Sequence, residues 1–196
     1  MKQKCYTYFM KQGEKTKQHI LEQSNVLFYI NGYSSTSFTD IMEATGLSKG
    51  NITYHFKNKQ AILEGIIAQR LREAECFFKI WEEKSQNPKE RLAFFCDMIL
   101  SEQENIEAYG CPMGTLTAEF SKNEPTLYTI TLPLFQSYRA WLAKQFSLLG
   151  ANNADADTQA MSLLGRVQGV AMVAHSFKDR YFLVNEIEKI KEELTK

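Results

Sequence analysis

S-T-S-F-T-D-I-M-E-A-T-G-L-S-K-G-N-I-T-Y-H-F-K-N-K-Q-A-I-L, residues 35–63, predicts two short helices joined by a tight turn and followed by a third helix. Ser37 can cap the first helix, and Asp40, three residues later, completes a capping box. Gly46 can adopt the positive φ that ends a helix, and Ser48 can cap the second one. Two helices with a short Gly-containing turn form a helix-turn-helix, whose second helix enters the major groove of DNA.

The rest of the chain also predicts helices. Apolar side chains recur at helical spacing between Glu14 and Ile30, with Ile20, Val26, Leu27 and Ile30 on the expected inner face. Asn58 can cap a long helix that runs to about Lys84. Further helices are predicted over residues 88–104, 113–120, 126–149, 155–178 and 183–194. With four prolines, ten glycines and no long alternating apolar runs, the expected fold class is all-α.

The composition is that of a folded, water-soluble protein. Of 196 residues, 44% are hydrophobic, and 13 Phe, 9 Tyr and 2 Trp are ample for a core. No apolar run approaches the roughly 18 residues that a membrane span needs, so no membrane partner is expected. The N-terminal residues lack the features of a signal peptide, which favours a cytoplasmic location.

Charge is unevenly distributed along a chain whose formal net charge is zero. Residues 1–60 contain eight Lys and four acidic residues, whereas residues 61–196 contain 15 basic and 19 acidic ones. A basic N-terminal part on an acidic remainder is expected when one small domain faces phosphates.

The helices predicted over residues 126–149 and 155–178 indicate a homodimer. The second is apolar over most of its circumference, and Gly165 and Gly169 lie one turn apart on it. Trp141, Leu142, Phe146 and Leu149 supply apolar groups on the first. Such helices require burial in a large core or in a subunit interface, and in a chain this small we expect the interface. Two such helices from each subunit can form a four-helix bundle around a two-fold axis.

The segment T-S-F-T-D-I-M-E-A-T-G-L-S-K-G-N-I-T-Y-H-F-K-N-K-Q-A-I-L closely resembles the DNA-binding signature of the TetR/AcrR family of bacterial transcriptional regulators. The resemblance covers roughly residues 15–65, and its core is G-L-S-K-G-x-[IL]-x-Y-H-F-x-x-K. A second segment, Y-G-C-P-M-G-T-L-T-A-E-F, is similar to one found in a subgroup of these regulators. The resemblance implies a three-helix DNA-binding head and a C-terminal helical bundle that encloses a ligand pocket and forms the dimer.

We therefore expect an arm and DNA-binding domain in residues 1–60 and an effector-binding and dimerisation domain in residues 61–196. The expected function is that of a ligand-responsive transcriptional regulator, a repressor released from its operator by a small-molecule effector. Its expected partners are a roughly palindromic double-stranded operator, a small and largely apolar effector, and a second copy of the chain. No cofactor is expected.

The expected DNA contacts lie on the helix-turn-helix and at the start of the next helix. Asn can pair with adenine, Lys with guanine or phosphate, and hydroxyls at a helix N-terminus can hold a phosphate. The residues are Ser37, Thr39, Ser48, Lys49, Gly50, Asn51, Thr53, Tyr54, His55 and Lys59. Many family members have an aromatic residue at the position of Thr53, so the bases read here are expected to differ. Lys2, Lys4 and Lys11 are expected either to reach a minor groove or to form a disordered arm.

The expected effector pocket combines apolar walls with a few polar groups. Its candidate residues are Trp81, Phe95, Met98, Tyr109, Cys111, Met113, Thr117, Phe120, Tyr128, Trp141, Met172 and His175. Each aromatic or Met residue could equally be ordinary core, and His175 could be a hydrogen-bonded core histidine. Cys111 could sense oxidants or electrophiles, although it lacks the basic neighbours in sequence that are typical of reactive cysteines.

Other functional classes find less support in the sequence. The three histidines, His19, His55 and His175, lie in separate elements, and no G-x-S-x-G, phosphate-binding glycine loop or H-E-x-x-H occurs, so no catalytic site is expected. The four widely spaced cysteines predict reduced thiols with no metal site. The alternatives are a protein-interaction module with a helix-turn-helix fold and a redox-responsive regulator that senses through Cys111.

Overall fold

The computed structural model describes residues 12–121 and 124–196. These residues form ten α-helices and no strand, which confirms the all-α prediction. The helices are α1 (Gln12–Asn31), α2 (Phe38–Thr45), α3 (Lys49–His55), α4 (Lys59–Lys84), α5 (Pro88–Ser101), α6 (Gln103–Tyr109), α7 (Gly114–Phe120), α8 (Pro125–Leu148), α9 (Asn153–Phe177) and α10 (Arg180–Thr195). No helix in this part of the chain is long and apolar enough to cross a membrane.

The chain packs into two compact units. The first comprises the described residues of Met1–Glu73 together with Thr115–Leu134, and the second comprises Ala74–Gly114 and Phe135–Lys196. The division falls inside α4 because Ile62 and Ile66 belong to the same buried core as α1, α2 and α3. It lies later than the functional boundary expected after residue 60, which stays a prediction.

The core of the first unit joins α1–α4 with α7 and the start of α8. Its buried side chains are Ile20, Leu21, Phe28, Tyr33, Ile41, Ile52, Phe56, Ile62, Leu63, Ile66, Ile67, Leu116, Phe120 and Leu127. The predicted inner face of α1 is partly wrong, because Val26 and Ile30 are exposed. Helical rotation places Leu21 and Phe28 with Ile20 instead, since Phe28 lies seven residues after Leu21 and eight after Ile20, which are spacings of one apolar stripe.

A close helix approach shapes this unit at Gly65. A Cβ atom built on Gly65 would lie 2.7 Å from Leu21 Cδ2 and 3.1 Å from Phe56 Cε1. Both distances are shorter than normal carbon–carbon contacts, so only glycine fits without movement of its neighbours.

The second unit is built mainly from α5, α9 and α10. Leu92 and Cys96 of α5, Leu164 of α9, and Leu183 and Ile187 of α10 are buried. The helix predicted over residues 88–104 is interrupted at Glu102, whose φ of −107° and ψ of 13° leave the helical region between α5 and α6.

Candidate DNA-binding interface

Local hydrogen bonds define α2 as the sequence predicts. The backbone N–H of Asp40 donates to Ser37 Oγ over 3.1 Å, and the Ser37 N–H donates to Asp40 Oδ2 over 2.7 Å, which completes the capping box. The Ser37 N–H and, to a smaller extent, the Ser37 hydroxyl act on the Asp40 carboxylate and hold its pKa below the ordinary value. At the other end, Gly46 has a φ of 67° and ends the helix in the left-handed conformation.

The short helix α3 has one buried face and one exposed face. Ser48 caps it by accepting from the Asn51 N–H over 3.3 Å. Ile52 is fully buried, and Phe56, its C-cap residue, is also buried. This anchoring leaves the outer face of α3 in solvent, as a helix that enters a DNA groove requires.

The predicted DNA-contacting residues of α3 are gathered on that outer face. Lys49, Gly50 and Asn51 are exposed, and Tyr54 is 85% exposed. The ring of His55 lies 5.0 Å from that of Tyr54 in an edge-on arrangement. An aromatic side chain so exposed makes little contribution to the core, so it is free to contact a partner.

Thr53 has a specific hydrogen-bonding arrangement on the same helix. Its hydroxyl donates to the backbone carbonyls of Lys49 at 2.9 Å and Gly50 at 3.2 Å. The hydroxyl therefore remains an acceptor toward solvent while its hydrogen is used within the helix.

Lys59 has a role that the sequence pattern did not indicate. Its Nζ donates to the carbonyl oxygen of Tyr33 at 2.7 Å and to that of Thr36 at 2.8 Å. The side chain is half-buried, and this desolvation lowers its pKa. Lys59 thus fixes the turn between α1 and α2, and its predicted phosphate contact stays a prediction.

Glu119 of α7 holds the same turn from the amide side. Its carboxylate accepts from the backbone N–H of Tyr33 over 3.0 Å and from that of Ser34 over 2.7 Å. Sequence reasoning missed this residue because it lies 85 and 86 positions away from its partners. No local periodicity or capping motif reports a contact at that separation.

The remaining expected contacts lie at the start of α2 and in the N-terminal residues. Ser37 and Thr39 are exposed at the start of α2, where backbone N–H groups can also donate hydrogen bonds to a phosphate. Lys2, Lys4 and Lys11 lie outside the described residues.

The candidate effector residues are divided between the two units. Thr117, Phe120 and Tyr128 belong to the first unit, and Phe120 is part of its buried core. The second unit contains Trp81, Phe95, Met98, Tyr109, Cys111, Met113, Trp141, Met172 and His175.

Aromatic packing brings several of the second-unit candidates together. The ring centroids of Trp81 and Trp141 lie 5.2 Å apart, and those of Phe95 and Tyr138 lie 5.9 Å apart. The Tyr138 hydroxyl is 3.5 Å from Met98 Sδ. Trp81, Phe95 and Trp141 are all buried, so protein atoms already cover these three side chains.

Other candidates have separate surroundings. Gln168 Nε2 lies 3.2 Å from the half-buried Cys111 Sγ. His175 is half-buried, with Nδ1 3.0 Å from the Glu107 carbonyl oxygen, as expected of a hydrogen-bonded histidine. Met172 is 66% exposed and Tyr109 is also exposed.

The described cysteines differ in state. Cys96 is a free buried thiol whose pKa is raised to about 12 by desolvation, so it is protonated at neutral pH. Cys111 is also free. Cys76 is disulfide-bonded, so the expectation of reduced thiols is wrong for this residue. Among the described residues, no group of His, Cys, Asp and Glu is arranged to hold a metal ion.

Exposed apolar side chains of the second unit lie on α9, at the start of α10 and around the end of α8, where Leu148 is 56% and Leu149 is 42% exposed. Trp141, Leu142 and Phe146 of α8, which the sequence suggested for a dimer interface, are buried within the subunit. Met172 and Phe177 of α9 are exposed instead. So is Tyr181 at the start of α10.

A groove separates the exposed faces of α9 and α10. It has a volume of about 330 Å³, and its lining includes Gly165, Gly169 and Val173 of α9 and Phe182 and Ile190 of α10. No atom lies within 4 Å of a Cβ built on either glycine. The backbone of α9 is therefore open to close approach by another helix.

Comparison with known families gives a match over the helix-turn-helix. A family model described as bacterial regulatory proteins, tetR family, matches residues 20–66. This range contains much of α1, all of α2 and α3, and the beginning of α4.

Two curated relatives are similar over most of their length. An uncharacterized HTH-type transcriptional regulator in the lacX 3' region of Lactococcus lactis subsp. lactis is 26% identical over 189 residues, which cover 90% of this chain and 91% of that protein. The uncharacterized HTH-type transcriptional regulator YxaF of Bacillus subtilis (strain 168) is 24% identical over 177 residues, which cover 89% of this chain and 93% of that protein.

A solved structure extends the likeness to the fold. A TetR-family transcriptional regulator from Agrobacterium tumefaciens superposes with a TM-score of 0.82 at 20% identity, covering 94% of this chain and all of that one. The fold and these relatives are those of transcriptional regulators and not of enzymes.

Proposed function

Since this chain belongs to the TetR/AcrR family of bacterial transcriptional regulators and contains a DNA-binding helix-turn-helix, we propose that it is a repressor released from its operator by a small-molecule effector. The observation that carries the proposal is the anchoring of α3, whose inner Ile52 is fully buried while Tyr54 stands 85% exposed. A rigidly held helix with an open outer face is what major-groove recognition requires.

The proposed DNA contacts divide by chemistry. Lys49 and Asn51 at the start of α3 read base edges or phosphates, and Thr53 offers a hydroxyl acceptor and a methyl group. Tyr54 and His55 contact the phosphate backbone. Ser37 and Thr39 at the start of α2 hold a phosphate through hydroxyls and backbone N–H groups, and Gly50 allows the backbone to approach the duplex.

The proposed homodimer uses α9 and α10, because Trp141, Leu142 and Phe146 of α8 are already buried within the subunit. One face of α9 is exposed or half-buried throughout. It consists of Thr158, Met161, Ser162, Gly165, Gly169, Met172 and Ser176. Small residues and flexible Met side chains at helical spacing suit close packing against a second copy. A two-fold dimer presents two copies of α3, and successive major grooves lie about 34 Å apart, so a roughly palindromic operator is expected.

The proposed effector is small and largely apolar and binds in the second unit. Met98, Cys111, Met113 and His175 are half-buried candidates of this unit, so each combines partial cover with surface left for a ligand. The mechanism is a population shift, in which the effector favours a dimer geometry whose two recognition helices no longer match the operator. This requires a higher affinity of the effector for that geometry than for the DNA-bound one.

The first experiment selects an operator from a random duplex library with the wild-type protein. Anisotropy titrations of the selected duplex should show a binding constant that falls steeply with salt, because phosphate contacts release counterions. Lys49→Ala should reduce the salt slope by about 1 if Lys49 contacts a phosphate. The control is Lys79→Ala, which removes an exposed Lys from α4 in the second unit.

The effector and the direction of regulation are tested separately. A molecule that co-purifies with the protein, identified by mass spectrometry, should abolish the gel shift of the selected duplex when added back. A reporter that carries this duplex in its promoter should be silenced by the protein. Salt-independent binding would support the interaction module, and peroxide-induced release prevented by Cys111→Ser would support the redox-responsive regulator.

A further inference from the structure

We propose that Glu119 of α7 is a positioning residue for operator binding, which fixes the turn that leads into α2 and thereby sets the affinity for DNA. The inference rests on the proposed function of the helix-turn-helix. It concerns a residue that lies outside the helix-turn-helix and has no place among the expected DNA contacts.

The carboxylate of Glu119 binds two consecutive backbone amides. Oε2 accepts from the Tyr33 N–H at 3.0 Å, and Oε1 accepts from the Ser34 N–H at 2.7 Å. Both oxygens of one charged group are therefore used on one peptide segment. Such charge-assisted hydrogen bonds are stronger than neutral ones and fix orientation as well as distance.

Lys59 completes the arrangement from the carbonyl side. Its Nζ lies 2.7 Å from the Tyr33 carbonyl oxygen and 2.8 Å from that of Thr36. Residues 33–36 are thus held by an anion on their amides and a cation on their carbonyls. Thr36 is itself fully buried, and its hydroxyl donates to the Gly32 carbonyl oxygen at 2.7 Å.

Packing brings α7 close enough for this contact. The ring centroids of Phe120 and Tyr33 lie 5.2 Å apart in an edge-on arrangement, and Phe120 is buried. Gly32 has a φ of 84°, and a Cβ built there would lie 3.4 Å from Glu119 Oε2. A glycine at this position therefore serves both the backbone conformation and the approach of the carboxylate.

The clamped turn leads directly into the proposed phosphate site. Ser37, the N-cap of α2, follows Thr36 at once. A displaced turn would move Ser37 and the free N–H groups at the start of α2, which must face a phosphate in a fixed direction. Glu119 acts on DNA through this turn without touching the duplex.

The same helix offers a route for regulation. Thr117, one of the candidate effector residues, lies two positions before Glu119 on α7. An effector that reorients α7 would withdraw the carboxylate from Tyr33 and Ser34. The free protein would then populate the DNA-competent turn less, and its apparent affinity would fall by that fraction.

The test compares Glu119→Ala and Glu119→Gln with Glu124→Gln in the full-length protein. The probe is the duplex that the wild-type protein selects from a random library. Glu119→Ala should weaken binding about tenfold if the competent turn falls to about a tenth of the population. Glu119→Gln should be intermediate, since its amide retains one oxygen acceptor but replaces the other with a donor.

The direction of the effect separates positioning from charge. Removal of a negative charge from a DNA-binding unit should by itself strengthen binding. Glu124→Gln makes the same change at an exposed site in the first unit and should bind as tightly as wild type or more tightly. Weaker binding by the Glu119 variants alone therefore reports the lost clamp.

Hydrogen exchange gives a readout that general destabilisation would not reproduce. Amide exchange at Tyr33 and Ser34 should accelerate in Glu119→Gln, while the amides within α1 and α4 keep their protection. If Glu119→Ala is unfolded at the assay temperature, Glu119→Gln alone decides. Unchanged affinity in the folded variant, or uniform loss of protection, overturns the inference and leaves the proposed function intact. Failure of the wild-type protein to bind any duplex would overturn both.

Discussion

The ammonium group of Lys59 lies 2.7 Å from the carbonyl oxygen of Tyr33 and 4.2 Å from the centroid of the Tyr33 ring. One cation thus interacts with the backbone and the aromatic face of the same residue. A lysine at the start of α4 consequently stabilises the turn before α2, which places the elements of the DNA-binding interface relative to one another.

Lys59→Met should lower the free energy of unfolding by about 1–3 kcal/mol, because two partly buried carbonyl oxygens lose their charged donor. Urea denaturation monitored by circular dichroism measures the change. Lys57→Met removes an exposed Lys two positions earlier and should leave stability nearly unchanged. Equal effects of the two substitutions would contradict a specific role for Lys59.

Gly65→Ala should destabilise the protein by about 1–3 kcal/mol through overpacking. The added methyl group would lie 2.7 Å from Leu21 Cδ2 and 3.1 Å from the Phe56 ring, both buried. Gly50→Ala is the matched control, since its Cβ would meet only Ser48 Oγ, at 3.9 Å. Thermal unfolding should show a lower midpoint for the first variant and an equal or higher one for the second.

Gly165→Ala tests the dimer by the sign of its effect. In an isolated subunit the substitution should stabilise α9 by about 1 kcal/mol, because Ala is the better helix former and no atom lies within 4 Å of the new Cβ. In a close interface between two helices the same methyl group separates the backbones. We expect sedimentation velocity to show weaker self-association. A more stable dimer would rule out close packing at this position.

Asp40 should titrate below its ordinary pKa of 3.8, because the Ser37 N–H and hydroxyl bind its carboxylate. Because the pKa of Asp40 is lower in the folded state, these hydrogen bonds stabilise the protein fully at a pH above the ordinary pKa. The stabilisation is lost as the pH falls through the pKa of the folded state. The stability difference between wild type and Asp40→Asn should therefore shrink on acidification below pH 3.8.

Nuclear magnetic resonance can follow the Asp40 carboxyl directly. Ser37→Ala should raise the pKa of Asp40 only in part, since the backbone N–H of residue 37 remains a donor. Glu43→Gln, an exposed change on the same helix, serves as the control and should leave the Asp40 titration in place. An unshifted pKa in the wild-type protein would refute the capping box.

Local motifs were predictable because their partners are close in sequence. Ser37 and Asp40 form the expected capping box, Gly46 has the expected left-handed conformation, and Ser48 caps α3. Asn58 Oδ1 likewise accepts from the Ala61 N–H, over 2.8 Å. Each of these capping bonds spans three residues, and the left-handed conformation of Gly46 depends on the backbone of one residue. The residue type therefore nearly decides the geometry.

Helix faces were less predictable where apolar residues exceed what one face can hold. Val26 and Ile30 fit a helical pattern but are exposed, while Phe28 is buried in the core. In the same way, Trp141 and Phe146 looked suited to an interface and instead fill their own subunit. Sequence periodicity shows that apolar groups must be covered, but packing decides what covers them.

By itself, then, the sequence determined most of the helices, the caps of α2 and α3 and the family signature on these two helices, since these depend on residue types within one or two turns. Only the tertiary structure decided that Glu119 and Lys59 hold the turn at Tyr33, from 86 and 26 positions away. It also decided that Met172 and Phe177 of α9 and Tyr181 of α10 stay exposed while Trp141 and Phe146 are buried. Such contacts depend on the three-dimensional course of the backbone, because chain separation sets no distance between residues that far apart.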